Sequence, residues 1–233
     1  MRGTRPENTL VAFAEAKKQG ADAIELDVRT CASGEVIVFH DPDLERLAHD
    51  TRKVADVRFD DLRRIDVGEG EHIPTLEEAL DLARELALGV NVEIKHDVPD
   101  RVRTSAAVAR ILSSWERKLD VVVSSFEPLV LATHKVLVPG VCHALLVHES
   151  TYHDWALRIA RAGRVDGVHT EASITVRARV AWFAEHAFVN SWTINDPALA
   201  RRAYDLGVSA VITDRPRLIL DAFAAPRGNL APG

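Results

Sequence analysis

The sequence contains, at residues 23–40, the stretch AIELDVRTCASGEVIVFH. Its two apolar runs, Ala23–Val28 and Val36–His40, are typical of β-strands, and the Ala-Ser-Gly-Glu between them is typical of a turn. A parallel crossover needs roughly a dozen residues or more, whereas only seven separate these runs. The stretch therefore predicts two strands that pair as an antiparallel hairpin.

A four-residue turn at residues 32–35 sets the register that we expect for this hairpin. It would place Cys31 opposite Val36, and counting back along the ladder would place Asp27 opposite His40. This register predicts that a carboxylate and an imidazole meet at one end of the sheet.

Six further strand-like runs follow, and helical patterns separate them. The predicted strands are Val90–Lys95, Val121–Phe126, His143–Val147, Gly167–Thr170, Phe188–Ile194 and Ser209–Thr213. The predicted helices are Thr9–Gln19, Thr75–Leu86, Arg101–Arg117, Pro128–Val136, Tyr152–Ala162, Thr175–His186 and Pro197–Leu206. Nearly continuous apolar strands are typical of a parallel sheet that is covered on both faces. Repeated βα units of this kind favour either a barrel or a doubly wound sheet.

The chain length of 233 residues is close to the roughly 250 that are typical of a (β/α)8 barrel. We expect one domain at residues 1–224, followed by a flexible tail at residues 225–233. With Val36–His40 assigned to the hairpin, seven parallel strands remain, and the helix Thr9–Gln19 has no strand in front of it. The prediction is a barrel with a hairpin extension after its second strand, whose first strand is missing or incomplete.

The composition argues against several classes of protein. A net charge of -6 and a pI near 5.9 disfavour a broad basic surface for nucleic acid or anionic lipid. Only Cys31 and Cys142 are present, without metal-ligand spacing, which argues against a disulfide scaffold or a zinc site. No apolar run reaches the ~18 residues of a membrane span, and the start lacks a hydrophobic leader. We therefore expect a cytoplasmic protein without stable membrane insertion.

Charged residues recur at the ends of two predicted strands. Glu25 and Asp27 are two residues apart, so they share one strand face, and Glu93 and Lys95 repeat the pattern. In a barrel, the carboxyl ends of the strands form the active site. Three hard oxygen ligands without cysteine suit Ca²⁺ or Mg²⁺. A lysine that holds an anionic oxygen and His40 as a proton carrier complete a pattern that indicates phosphoryl chemistry.

A set of motifs in one fixed order resembles the glycerophosphodiester phosphodiesterase family. The motifs cover nearly the whole chain and are Pro6-Glu7-Asn8-Thr9, Ile24-Glu25-Leu26-Asp27-Val28, Val38-Phe39-His40-Asp41, Ile73-Pro74-Thr75-Leu76, Glu93-Ile94-Lys95, Trp192-Thr193-Ile194-Asn195 and Val211-Ile212-Thr213-Asp214-Arg215-Pro216. Each motif alone is weak, but the ordered set is highly specific.

The resemblance implies a role for each candidate site residue. Glu25, Asp27 and Glu93 would be ligands of one divalent cation, either Ca²⁺ or Mg²⁺. His40 would be one of two acid/base histidines, Lys95 would contact the phosphate, and Trp192 would line the glycerol or phosphate pocket. Asn8 and Thr9 would cap the first helix, and Asp41 would orient His40 or its loop.

The resemblance fails at the N-terminus, where the family has a strand ending in His-Arg-Gly. Either Met1-Arg2-Gly3 replaces that motif, or residues 1–5 are the loop after it and the motif lay upstream. The second alignment is favoured because it also supplies the missing strand, and both alignments remove the first histidine. We therefore expect the chain as written to have little activity.

The function implied is hydrolysis of small glycerophosphodiesters to sn-glycerol 3-phosphate and an alcohol, with no nucleic-acid partner. One alternative keeps the barrel and hydrolyses a lysophospholipid or a sphingolipid instead. A second alternative is a non-catalytic barrel that binds a phosphorylated ligand, because one histidine is absent. An unrelated doubly wound fold is disfavoured, since no glycine-rich phosphate loop follows any strand. Head-group preference and oligomeric state stay open.

Overall fold

The computed structural model describes residues 4–115, 118–149, 158–159, 162 and 164–224. The strands of its main sheet are β1 (Ala23–Thr30), β2 (Val36–Val38), β5 (Gly89–Ile94), β6 (Val121–Ser125), β7 (Cys142–Val147), β8 (Gly167–Glu171), β9 (Phe188–Trp192) and β10 (Ala210–Val211), whereas β3 (Asp43–Leu44) and β4 (Asp50–Lys53) belong to a small insertion. The order in the main sheet is β10-β9-β8-β7-β6-β5-β1-β2, in which β2 is antiparallel to β1 and every other neighbouring pair is parallel. The described residues thus supply the seven parallel strands that the sequence predicts.

Helices alternate with these strands along the chain. They are α1 (Leu10–Lys18), α2 (Glu45–Ala48), α3 (Phe59–Leu62), α4 (Leu76–Glu85), α5 (Arg101–Ser113), α6 (Pro128–Leu137), α7 (Arg177–Ala184), α8 (Pro197–Asp205) and α9 (Pro216–Ala224). Three of these, α2, α3 and α9, were not predicted. Most of the predicted helix Tyr152–Ala162 and the whole predicted tail at 225–233 lie outside the described residues.

The main sheet curls around a central cavity. Residues of β1 and of β10, the first and last of the parallel strands, line the same cavity, among them Ile24 and Val211. This is the architecture of the predicted (β/α)8 barrel. In the part of the chain that the structure describes, no backbone pairing joins β10 to β1.

Apolar spacing explains how the helices pack on the sheet, as α4 illustrates. Its residues Leu76, Ala79, Leu80 and Ala83 are spaced three or four apart and are fully buried in the main core. Thr75 begins the helix with a capping box, because its side chain accepts from the Glu78 N–H while the Glu78 carboxylate accepts from the Thr75 N–H.

A small insertion between β2 and α4 covers the hairpin. It contains the short strands β3 (Asp43–Leu44) and β4 (Asp50–Lys53), the helices α2 and α3, and a 3₁₀ turn at Val54–Asp56. Its apolar residues Leu44 and Leu62 pack with Ile37 and Phe39 of the hairpin in a second buried cluster. The insertion is therefore fixed to the end of β2, next to His40.

The predicted hairpin is present, but the predicted register is wrong by one residue. Val28 pairs with Val38 and Thr30 with Val36, so Asp27 lies opposite Phe39, whose N–H donates to the Asp27 carbonyl at 2.9 Å. The cause is a three-residue turn, since the Cys31 N–H donates to the Glu35 carbonyl. Gly34 makes this turn possible with φ +101°, a left-handed conformation that three-residue hairpin loops require.

None of the described helices combines the length and the apolar character that a membrane crossing requires.

Candidate active site

Three carboxylates meet where β1 and β5 end. The alternation of β1 puts Glu25 and Asp27 on one face, and the parallel pairing of β1 with β5 places Glu93 directly beside Asp27. One carboxylate oxygen from each of the three residues lies within 4.8 Å of the others. The residues that were predicted as metal ligands are thus brought together.

Lys95 is the positive charge of this cluster. Its Nζ lies 2.9 Å from Glu93 Oε1 and 3.2 Å from Asp27 Oδ1, and its side chain is almost fully buried. Burial works to lower the pKa of Lys95, but the charges of Asp27 and Glu93 outweigh it and raise that pKa. Lys95 is therefore an ammonium ion near neutral pH.

The carboxylates carry more negative charge than Lys95 can balance. Burial raises the pKa of Glu25 well above its ordinary value, and the charges of Asp27 and Glu93 raise it further. Burial, followed by the charge of Asp27, also raises the pKa of Glu93. A buried group of acids that resists ionisation in this way is stabilised when a cation shares its site.

The residues present fit a divalent cation. Glu93 Oε1 is buried and forms an ion pair with Lys95 Nζ at 2.9 Å, with no further polar partner among the described residues. Because a carboxylate oxygen has two lone pairs, one of them remains available to a metal. A ligand set made only of carboxylate oxygens is typical of Ca²⁺ and Mg²⁺.

Asn8 holds one of these carboxylates in place. Its Nδ2 donates to Asp27 Oδ2 at 2.9 Å, and its Oδ1 accepts from the Asp27 N–H at 3.2 Å. Asn8 and Thr9 were both predicted to cap the first helix, but only Thr9 does so, since its hydroxyl accepts a hydrogen bond from the Ala12 N–H. Asn8 has φ +57°, a left-handed conformation that asparagine tolerates better than most residues. The role of Asn8 was missed because a positive φ next to a helix cap leaves no pattern in the sequence.

His40 follows β2 and lines the same cavity as the carboxylates. Its Nδ1 lies 2.7 Å from Asp41 Oδ1. Its carbonyl accepts from Arg29, at 3.0 Å from Nε and 2.6 Å from Nη2, and Arg29 also forms an ion pair of 2.7 Å with Asp97. The prediction missed Arg29, although a buried arginine inside an apolar strand is a signal that it has fixed partners.

Trp192 ends β9 and lines the cavity together with Phe126. The two rings contact edge to face, with 5.6 Å between their centroids. The Trp192 Nε1–H donates to the His169 carbonyl at 3.0 Å, which fixes the indole. Together Trp192 and Phe126 give the cavity an apolar surface. Of these two residues, the sequence predicted Trp192 and missed Phe126.

All six predicted site residues line one cavity of about 1170 Å³. Carboxylates, an ammonium group, an imidazole and an aromatic wall in one cavity can bind a cation, an anionic group and a small apolar skeleton together.

Comparison with known proteins agrees with this chemistry. The sequence matches the Glycerophosphoryl diester phosphodiesterase family over residues 1–218. The chain belongs to this family. It is 29% identical over 227 residues to the glycerophosphodiester phosphodiesterase of Bacillus altitudinis. The matched region covers 92% of this chain and 91% of the relative.

Solved structures of glycerophosphodiester phosphodiesterases and a related phosphodiesterase have the same fold. An Oleispira antarctica phosphodiesterase in complex with the product sn-glycerol-3-phosphate has a TM-score of 0.87 and 29% identity, covering 96% of this chain and 93% of its own. The glycerophosphodiester phosphodiesterase of Thermotoga maritima has a TM-score of 0.77 and 27% identity, covering 93% and 92%. The predicted family and barrel are therefore confirmed, and this glycerophosphodiester phosphodiesterase family member is a phosphoric diester hydrolase.

Proposed function

We propose that this family member hydrolyses small glycerophosphodiesters to sn-glycerol 3-phosphate and an alcohol, in a reaction that needs a divalent cation. The observation that carries the proposal is the cavity in which Glu25, Asp27 and Glu93 surround one point beside Lys95. The product bound to the Oleispira antarctica phosphodiesterase supports the same substrate class.

Glu25, Asp27 and Glu93 would hold the cation, with Asn8 orienting the Asp27 carboxylate. Either Ca²⁺ or Mg²⁺ suits this set of oxygens. When bound, such an ion supplies Lewis-acid polarisation of a phosphoryl oxygen.

The other residues of the site would bind the substrate and move protons. Lys95 neutralises charge on a phosphate oxygen. Its ammonium group lines the cavity, and its contacts with Asp27 and Glu93 hold it in place there. The Nδ1 of His40 is occupied by Asp41, so Nε2 is the atom that exchanges a proton with the reacting oxygen. Trp192 and Phe126 pack against the carbon skeleton of the glycerol.

A variant of one carboxylate tests the proposal. Release of glycerol 3-phosphate from glycerophosphocholine is measured for the unaltered protein and for Glu93→Gln, each with Mg²⁺, Ca²⁺ or excess chelator. Glu77→Gln, which changes an exposed residue in the first turn of α4, is the matched control. We expect Glu93→Gln to lower the rate by about 100-fold or more and Glu77→Gln to leave it unchanged. An undiminished rate in Glu93→Gln would exclude the metal site.

Two further substrates separate the alternatives. Faster turnover of the acylated analogue than of glycerophosphocholine would assign the chain to lysophospholipids, and turnover of a sphingolipid diester would assign it to that class. Binding of glycerol 3-phosphate without turnover of any diester would favour a barrel that only binds phosphorylated ligands.

A further inference from the structure

A chain of four charged or polar side chains links His40 to Glu7, and both of these end residues line the cavity. His40 Nδ1 lies 2.7 Å from Asp41 Oδ1, and Asp41 Oδ2 accepts from Arg46 Nε at 2.5 Å. The Nη2 of the same guanidinium donates to Glu7 Oε1. Arg46 thus joins two carboxylates through two different nitrogen atoms.

The four residues come from three separate parts of the fold. Glu7 belongs to the loop before α1, and the next residue, Asn8, holds Asp27. Asp41 follows His40 at the end of the hairpin, and Arg46 lies on α2 in the insertion. Leu44, immediately before α2, is fully buried and packs in the cluster that contains Phe39. Arg46 is therefore held at a fixed distance from the end of the hairpin.

The two carboxylates of the network are largely shielded from water. The side chains of Glu7 and Asp41 are only 10% and 17% exposed, whereas those of His40 and Arg46 are 39% and 42% exposed. Burial works to raise the pKa of Asp41, but hydrogen bonds from Arg46 and His40 outweigh it and lower that pKa. Asp41 is therefore a carboxylate near neutral pH, and its Oδ1 accepts a hydrogen bond from the Nδ1–H of His40.

The tautomer of His40 follows from this contact. A carboxylate accepts hydrogen bonds and donates none, so a neutral His40 carries its proton on Nδ1 and its lone pair on Nε2. If Asp41 could rotate away, the imidazole could populate both tautomers and more than one ring orientation. Arg46 prevents that rotation because it holds the second oxygen of Asp41.

We propose that Arg46 is a positioning residue for His40, which it orients through Asp41 while Glu7 anchors its guanidinium. This inference rests on the proposed function, in which Nε2 of His40 exchanges a proton with the reacting oxygen. Arg46 itself does not touch substrate in this assignment.

Kinetic constants for Arg46→Ala, Arg46→Lys and Arg52→Ala test the proposal, with glycerophosphocholine as substrate and Mg²⁺ held constant. Arg52 lies in the same insertion and forms an exposed ion pair with Asp50, so Arg52→Ala is the matched control. We expect kcat to fall about 10- to 100-fold in Arg46→Ala, with KM changed less than about twofold because no substrate contact is lost. Arg46→Lys should recover part of kcat, and Arg52→Ala should match the unaltered protein.

The ¹⁵N resonances of the His40 imidazole give a second measurement that needs no turnover. The unaltered protein and Arg52→Ala should show the Nδ1–H tautomer, and Arg46→Ala should show a mixture of both tautomers. An unchanged kcat together with an unchanged tautomer in Arg46→Ala would overturn the proposal. If the unaltered protein has no turnover but Arg46→Ala still shifts the tautomer, the positioning role stands and the proposed function fails.

A loss of folding in Arg46→Ala would be detected as a lower thermal unfolding midpoint than that of Arg52→Ala. In that case Glu7→Gln is the decisive variant, because it keeps the volume of the side chain while removing its charge. A smaller fall in kcat with the same shift of the tautomer would support the proposal. No change in either would contradict it.

Discussion

Asn8 is a residue whose backbone and side chain both affect the site. Its positive φ turns the chain toward α1, and its amide both donates to and accepts from Asp27. A residue that orients a metal ligand typically contributes 10- to 100-fold to metal affinity. The main effect of losing the amide should therefore be on cation binding rather than on folding.

Asn8→Gly tests this effect without introducing backbone strain, since glycine adopts positive φ freely. We expect the dissociation constant for Mg²⁺, measured by titration calorimetry, to rise about 10-fold. Asn8→Ala should show the same rise together with some loss of thermal stability, because alanine disfavours the left-handed conformation. Equal Mg²⁺ affinity in the unaltered protein and in Asn8→Gly would show that the amide does not hold Asp27 for the metal.

At the scale of single elements, the capping box of α4 fixes where the insertion ends and the barrel resumes. Thr75 begins this helix, and Glu78 also forms a 2.6 Å ion pair with Arg63 at the end of α3. The first turn of α4 is thereby tied to the insertion that carries Arg46.

Removal of the cap should cost stability in a way that a similar change elsewhere does not. Thr75→Ala is expected to lower the free energy of unfolding by about 1 kcal/mol in urea denaturation. The control is Thr133→Ala, at a partly exposed position inside α6 where the hydroxyl donates only to the Leu129 carbonyl. That variant should stay within about 0.5 kcal/mol of the unaltered protein. Similar losses in both variants would show that the cap of α4 has no special importance.

The elements also show what the sequence could predict and what it could not. Long apolar runs such as Val90–Lys95 were recognised, and so was the start of α4, because hydrophobic spacing and capping residues are local signals. The carboxylates Glu25, Asp27 and Glu93 followed from strand alternation. The hairpin register was missed by one residue because it depends on the backbone conformation of Gly34. Asn8, Arg29 and Arg46 were missed as parts of the site because their partners are distant in sequence or fixed by loops.

At the scale of the whole molecule, a buried pair of histidines links the stability of the barrel to pH. His134 of α6 and His143 of β7 are fully buried, with 2.8 Å between His134 Nδ1 and His143 Nε2. Burial lowers the pKa of His134 to about 3 and that of His143 to about 4. Both pKa values are below the ~6.5 of an unfolded histidine, so the unfolded chain binds more protons in acid.

This difference sets the direction of the pH dependence. The contribution of the pair to the free energy of unfolding is fully present above about pH 6.5 and is lost as pH falls toward about 4. The loss is up to about 1.4 kcal/mol per pH unit for each extra proton that the unfolded chain binds. Replacing the pair with apolar residues, in His134→Leu/His143→Met, should flatten the fall in unfolding free energy between pH 6.5 and pH 4. The exposed His72→Gln should leave the slope unchanged. A double variant with the same slope as the unaltered protein would exclude this pair as a source of acid sensitivity.

The central claim is that three carboxylates of the barrel form a metal site for hydrolysis of glycerophosphodiesters. The most direct measurement follows glycerophosphocholine by ³¹P NMR, first with Mg²⁺ or Ca²⁺, then with excess chelator, then with the cation restored. We predict that the diester signal is replaced only slowly by that of sn-glycerol 3-phosphate with cation, because the sequence holds one of the two acid/base histidines that the family resemblance implies. Conversion should stop with chelator and resume when the cation is restored. A diester signal that never changes, or that changes equally in chelator, would contradict the claim.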